Sequence, residues 1–286
     1  MQKSPLKYLK ARYPFRLGTT SFIHPAGWAE NARRLAPCVD EIELLFFESQ
    51  KPGSLPDAAE IGRLAEIAAD QALTYTVHLP VDVDLGNSDR VQRRAAVDSI
   101  AAICRQTGHL PVTSYTLHLP YPARAQRTPD DIHLWQTRTR LGLEDLIGEG
   151  VAPQHLSIET LDYPFAWAAP LVEALDLRVC LDIGHLILYV YGPSAADGLL
   201  AALDRHLPRT TVIHLHGVAH GKDHRPLDDL CASLLDHIMG RLRQSDYEGS
   251  LTLEVFGLDA LRRSLACFET AWPHASAKNR RHIDNP

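Results

Sequence analysis

The chain has 286 residues, 45% of them hydrophobic and 22% charged, with a formal net charge of −6. That balance belongs to a soluble globular protein and excludes disordered and fibrous classes. No apolar run approaches the roughly 18 residues of a membrane span, and the negative balance opposes non-specific binding to nucleic acid. At this length one α/β barrel can bury a large core without disulfides. The five cysteines, Cys38, Cys104, Cys180, Cys231 and Cys267, are odd in number and contain no Cys-x-x-Cys pair, so they read as reduced thiols. The N-terminus carries positive charge but no continuous apolar segment behind it, unlike a secretory signal, and a cytoplasmic location is the expectation.

Residues 1–13 read as an N-terminal extension, 14–273 as one catalytic domain and 274–286 as a polar, basic tail without fixed structure. Within the domain, short β-favouring runs alternate with helical stretches. The strands are expected at Phe15 to Thr20, Val39 to Phe47, Thr74 to Leu79, Ser114 to Leu119, Leu156 to Leu161, Arg178 to Ile183, Thr211 to Leu215 and Ser250 to Phe256. Asp57 to Gln71 places Ile61, Leu64, Ala65 and Ala68 on one helical face, and Ser88 to Gln106 starts from a residue able to cap a helix. Thr128-Pro129-Asp130-Asp131 combines a cap, a proline at the first helical position and acids in the first turn. Helices also fit Pro164 to Leu175, Ser194 to Leu207, Pro226 to Gln244 and Leu258 to Glu269. Eight such alternations predict a single-domain α/β fold, a (β/α)8 TIM barrel with its active site at the C-terminal strand ends. An open doubly wound sheet is the rival, but neither a Gly-x-Gly-x-x-Gly turn nor a Walker loop is present.

The C-terminal strand ends carry His78, His118, Glu159, Asp182 with His185, His214 and His216, and Glu254, with His224 shortly after the seventh strand. Imidazole and carboxylate together suit Zn, Mn or Fe, whereas an all-oxygen set would suit Mg or Ca. Any one of these histidines alone is better read as a hydrogen-bonded structural residue. Jointly they are not, because so many acids and imidazoles on one rim would be costly to desolvate without a cation. Strand alternation puts Thr76, Thr116, Ser157, Cys180 and Thr252 one layer beneath His78, His118, Glu159, Asp182 and Glu254, a small layer able to support ligands. On the seventh strand the same rule lets both His214 and His216 face inward and does not choose between them. Asp182, inward on its strand, is expected at the centre of the site, and His185, beyond Gly184, at its edge. Glu43 can enter the barrel from the second strand in a supporting, substrate-facing or structural role. Cys180 reads as a core thiol, and His24, His109, His133, His155, His206, His220 and His237 as surface or loop residues.

This set of strand-end motifs resembles the xylose-isomerase-like TIM-barrel superfamily, which includes endonuclease IV and the sugar phosphate isomerases and epimerases. The resemblance spans residues 14–272 and rests on the two His-Leu-Pro strand ends at His78 and His118, Glu159, Asp182-Ile183-Gly184-His185, His214-Leu215-His216 with His224, and Glu254. It implies one to three divalent ions, Zn or Mn foremost, with Glu159 bridging two of them, and with His185 and His224 as outer ligands or general acids. Endonuclease IV's Asp-x-His stands here as Lys222-Asp223-His224, with the acid directly beside the histidine, which puts a third ion in question. The early loops look too short for that enzyme's DNA-gripping elements. Gly18-Thr19-Thr20-Ser21-Phe22-Ile23 and Glu43-Leu44-Leu45-Phe46-Phe47-Glu48 look most like the cobamide-remodelling phosphodiesterase family, CbiR. That likeness implies a metal-dependent hydrolase acting on a small-molecule corrinoid and cleaving the phosphoribosyl linkage of a cobamide nucleotide loop, with no nucleic-acid or membrane partner. The alternatives are a metal-dependent sugar isomerase or epimerase, an endonuclease-IV-type repair enzyme, and a non-catalytic corrinoid-binding barrel.

Overall fold

The computed structural model describes residues 6–49, 51, 53–122, 125–192 and 196–272. The predicted tail, 274–286, lies outside them. Eight parallel strands close a barrel: β1 (Arg16–Thr20), β2 (Glu41–Leu45), β3 (Thr74–His78), β4 (Val112–Leu117), β5 (Leu156–Glu159), β6 (Arg178–Asp182), β7 (Thr210–Leu215) and β10 (Ser250–Leu253), with β1 joining β10 to β2. The protein is a single-domain (β/α)8 TIM barrel, as the alternation predicts. Among the described residues no helix is long and apolar enough to cross a membrane.

Period-two alternation builds the two faces of each strand. Ile158, Leu181, Ile213 and Leu251 point outward into a buried apolar shell under the helices, while Ser157, Cys180, Val212 and Ser250 point inward. The shell is completed by α1 (Trp28–Leu35), α2 (Ala58–Gln71), α3 (Arg90–Thr107), α4 (Pro129–Gly148), α5 (Ala169–Ala174), α7 (Ala196–His206), α8 (Ala232–Gln244) and α9 (Leu258–Ala271), α6 being one turn at Ile183–His185. Thr128 caps α4 by accepting from the Asp131 N–H. The cap of α3 is Asp89, which accepts from the Val91 N–H, one residue after the serine expected to start it.

Helix α1 was not legible in the sequence: its cap position is Gly27, with no side-chain hydrogen bond to announce it. Helix α8 starts six residues later than its apolar stripe implies, because Leu227–Asp229 forms a 3-10 turn pinned by Leu227 N–H donating to Ser264 Oγ. Two strands are also new. β8 (Gly217–Ala219) and β9 (Lys222–Arg225) form an antiparallel hairpin over the barrel mouth. Its two-residue turn, His220-Gly221, has φ of +54° and +70°, as a hairpin turn matched to the strand twist requires.

Candidate metal centre

The interior layer read from alternation is present, with Thr76, Thr116, Ser157, Cys180 and Thr252 all fully buried. Burial pushes the Cys180 thiol well up. At the floor of the barrel Glu41 accepts from Thr74 and Thr113 and pairs with Arg16, a structural carboxylate–arginine plug.

Above this layer the side chains of β3 to β7 and β10 converge around Glu159, which is 1% exposed. Its two oxygens face different partners. Oε2 lies 3.2 Å from His78 Nε2 and 2.9 Å from His118 Nε2. Oε1 lies 3.4 Å from His185 Nδ1 and 3.5 Å from His214 Nδ1. His214 Nδ1 is in turn 3.8 Å from Asp182 Oδ2 and 3.2 Å from Glu254 Oε2.

The two strand-seven histidines, which alternation could not separate, have different surroundings. His216 Nδ1 accepts from the His224 N–H at 2.9 Å, and its Nε2 lies 3.2 Å and 3.3 Å from the two Asp182 oxygens. His216 is therefore held by hydrogen bonds to Asp182 and the His224 backbone. His214 is not. Its Nε2 is 2.8 Å from Glu43 Oε1, but off the axis needed for a hydrogen bond, and both His214 nitrogens, both Glu43 oxygens and Glu254 Oε2 are buried without hydrogen-bond partners. Burying such groups unsatisfied is costly.

These orphaned atoms give the fit test for a cation. Two ligands each about 2.1 Å from one tetrahedral ion lie about 3.4 Å apart, close to the 3.5 Å and 3.2 Å that separate His214 Nδ1 from Glu159 and Glu254 here. Groupings of close donor atoms that could hold an ion include His78, His118 and Glu159; Glu159, Asp182 and His185; and His216, His224 and Glu254. The donor set fits divalent metals.

A further grouping answers the question raised by Lys222-Asp223-His224. His185, Asp223 and His224 also bring donor atoms together, with His185 Nε2 3.8 Å from Asp223 Oδ2. The adjacency is workable because His224 adopts φ +48°, a left-handed conformation that turns its ring back towards Glu254 while Asp223 faces His185. His185 accordingly reaches further than its place beyond Gly184 implies, touching both the inner carboxylates and this outer group. After α6 the chain continues as a π-helix, Leu186–Tyr191, which carries Tyr189 over the mouth to donate to Asp223 Oδ2 at 3.3 Å. Asp223 and Tyr189 were not legible as site residues, because only the hairpin and the π-turn bring them here.

Gly184 is required by close approach. A Cβ there would lie 1.9 Å from His216 Cε1. His109, His133, His155, His220 and His237 are exposed and His24 and His206 half-buried, and none joins the centre.

The electrostatics of the centre favour bound positive charge. Burial alone would lower the pKa of His78, but the hydrogen bond and charge of Glu159 lift it to about 9. His185 rises against burial to about 10 through Asp182 and Glu159. Burial favours neutral Glu159, yet His118 and His214 hold it well below the carboxylate range; His185 and His216 do the same for Asp182. The same carboxylates that would bind a cation raise His78 and His185 towards the charged form.

Among solved structures, a D-tagatose 3-epimerase-like protein matches with TM-score 0.71 and 14% identity over 90% of this chain and 97% of its own. Endonuclease IV from Thermus thermophilus matches with TM-score 0.67 and 21% identity over 90% and 98%. The 3-keto-D-glucoside 4-epimerase of E. coli matches with TM-score 0.67 and 16% identity over 90% and 99%. At these identities the likeness establishes the shared barrel. No curated protein sequence matches significantly. The sequence profile of the xylose isomerase-like TIM barrel matches residues 32–272, and the chain belongs to that family.

Proposed function

We propose that this protein is a metal-dependent phosphodiesterase that hydrolyses the phosphoribosyl linkage of a cobamide nucleotide loop, giving cobinamide phosphate and the lower-ligand riboside. The observation that carries the reading is the division of Glu159, with Oε2 turned to His78 and His118 and Oε1 to His185 and His214. A carboxylate so placed can serve two ions, and paired ions are the common solution for displacement at phosphorus.

In this reading His78, His118 and Glu159 hold one ion, and Glu159, Asp182, His214 and Glu254 hold a second. His185, Asp223 and His224 form an outer group. When bound, divalent ions supply positive charge to a phosphoryl oxygen and acidify water, Zn and Mn being the ions this donor set suits. Glu43 sets a carboxylate charge beside His214 Nε2, and His216 hydrogen-bonds Asp182. His185 and His224, both partly open to the mouth, deliver the proton that the departing ribosyl oxygen needs when its bond to phosphorus breaks.

The test is to incubate metal-loaded protein with a cobamide and separate the products. Cobinamide phosphate and a riboside are expected, and an intact cobamide after long incubation with Zn or Mn refutes the reading. The epimerase neighbours favour a second reading, a one-metal sugar isomerase or epimerase using Glu159 and Glu254 for proton transfer. It predicts solvent deuterium at a sugar carbon and no phosphodiester cleavage.

A further inference from the structure

One side of the barrel mouth is lined by phenylalanine side chains. Phe22, after β1, Phe47, after β2, and Phe256, after β10, form a row in which Phe47 sits 5.4 Å from Phe22 and 6.3 Å from Phe256 between ring centroids. Phe22 and Phe256 are 45% and 41% exposed, so two large aromatic faces are left in water. The row runs directly along the metal centre: Phe47 is 6.5 Å from the His78 ring and Phe256 5.0 Å from that of His224. Behind it opens a cavity of about 370 Å³, lined by Phe22, Trp28, Leu45 and Phe47, with Lys51 at its edge. Lys51 is neutralised by Glu48 at 2.9 Å, so the wall has no net charge.

The centre and the wall make complementary demands on one ligand: an anionic group at the ions and a neutral, flat, apolar group beside it. Aromatic faces next to an anion site are how proteins take nucleobases, through stacking that tolerates any planar ring. We infer that Phe22, Phe47 and Phe256 with the Trp28 cavity form the subsite for the base-bearing riboside half of the phosphodiester, a bicyclic heteroaromatic base with its ribose. The cavity volume suits a group of that size and leaves a macrocycle outside the mouth. This assignment rests on the phosphodiester reading for the identity of the ligand, but its test does not need turnover.

Metal-loaded protein is titrated calorimetrically with benzimidazole riboside, with adenosine and with ribose, none carrying phosphate. Both ribosides are expected to bind and ribose not to. Phe22→Ala and Phe256→Ala are each expected to weaken the ribosides at least tenfold at unchanged metal content and thermal midpoint, and Phe256→Tyr to restore binding. Riboside binding indifferent to both alanine variants, or ribose binding as tightly as the ribosides, overturns the inference. Cobamide cleavage with aromatic-independent riboside binding defeats this subsite alone. Aromatic-dependent riboside binding with an intact cobamide upholds the subsite and defeats the phosphodiesterase reading.

Discussion

Replacing Gly184 by alanine tests the packing of the site through a single methyl group. The new Cβ would lie 1.9 Å from His216 Cε1, 2.5 Å from Nδ1 and 2.6 Å from Nε2. Carbon atoms in contact sit about 3.5–4.0 Å apart, so the imidazole must retreat by roughly 1.6–2.1 Å. It cannot do so and keep Nε2 3.2 Å from Asp182 or Nδ1 2.9 Å from the His224 N–H. Overpacking a core costs about 1–3 kcal/mol, and a lost hydrogen bond to a charged group about 1.5–3 kcal/mol. Allowing for partial relaxation, about 3 kcal/mol is expected, a fall in thermal midpoint of about 6–12 °C for a domain of this size. The loosened Asp182 should also lower metal content. Gly62→Ala is the control: Gly62 is exposed in α2 with nothing within 4 Å of a built Cβ, and the change should stabilise by about 0.5–1 kcal/mol. Differential scanning calorimetry and elemental analysis read both variants. A Gly184→Ala protein with native midpoint and native metal content would refute the claim that His216 is held between Gly184 and its hydrogen bonds to Asp182 and the His224 backbone.

Asp182→Asn and His214→Ala should each strip the ion assigned to Glu159, Asp182, His214 and Glu254, whereas His185→Ala should keep it and slow turnover; elemental analysis beside product assays separates them. Glu43→Gln, which leaves His214 in place but removes the charge facing its Nε2, should weaken metal binding about 10–100-fold in a chelator competition. Metal-free protein should lose thermal stability as pH rises. The raised pKa values of His78, about 9, and His185, about 10, contribute stability that is complete below the unfolded value of about 6.5 and lost through the folded values. The depressed pKa values of Glu159 and Asp182 contribute above about 4.5 and are lost on acidification. The chelated protein should thus be most stable near about pH 5–6.5. Added Zn or Mn should remove the alkaline decline, and a metal-free midpoint that stays level from about pH 6.5 to 9 contradicts this. Tyr189→Phe should lower turnover with metal content intact, since it cuts only the 3.3 Å bond to Asp223; unchanged turnover assigns that contact no role.

The barrel and the rim of its site were largely legible in the chain because both depend on local periodicity. Alternation along each strand places one residue of two inward, so His78, Glu159, Asp182 and the small layer beneath them could be read off position by position. Alternation is blind to distance across the barrel. It could not show that Glu43 faces His214, that His216 spends its nitrogens on Asp182 and the His224 backbone, or that Glu159 divides its two oxygens, since those facts depend on which strands stand opposite after closure. Asp223 sits on the short hairpin strand β9, Tyr189 on the π-helix and the phenylalanines just beyond barrel strands, where the alternation of the barrel does not reach. Only the left-handed His224, the π-turn after His185 and the packing of three separate loops bring them to the mouth. The sequence by itself determined which imidazoles and carboxylates the strands deliver to the rim; tertiary structure decided their partners, because barrel closure sets the distances between side chains far apart in the chain.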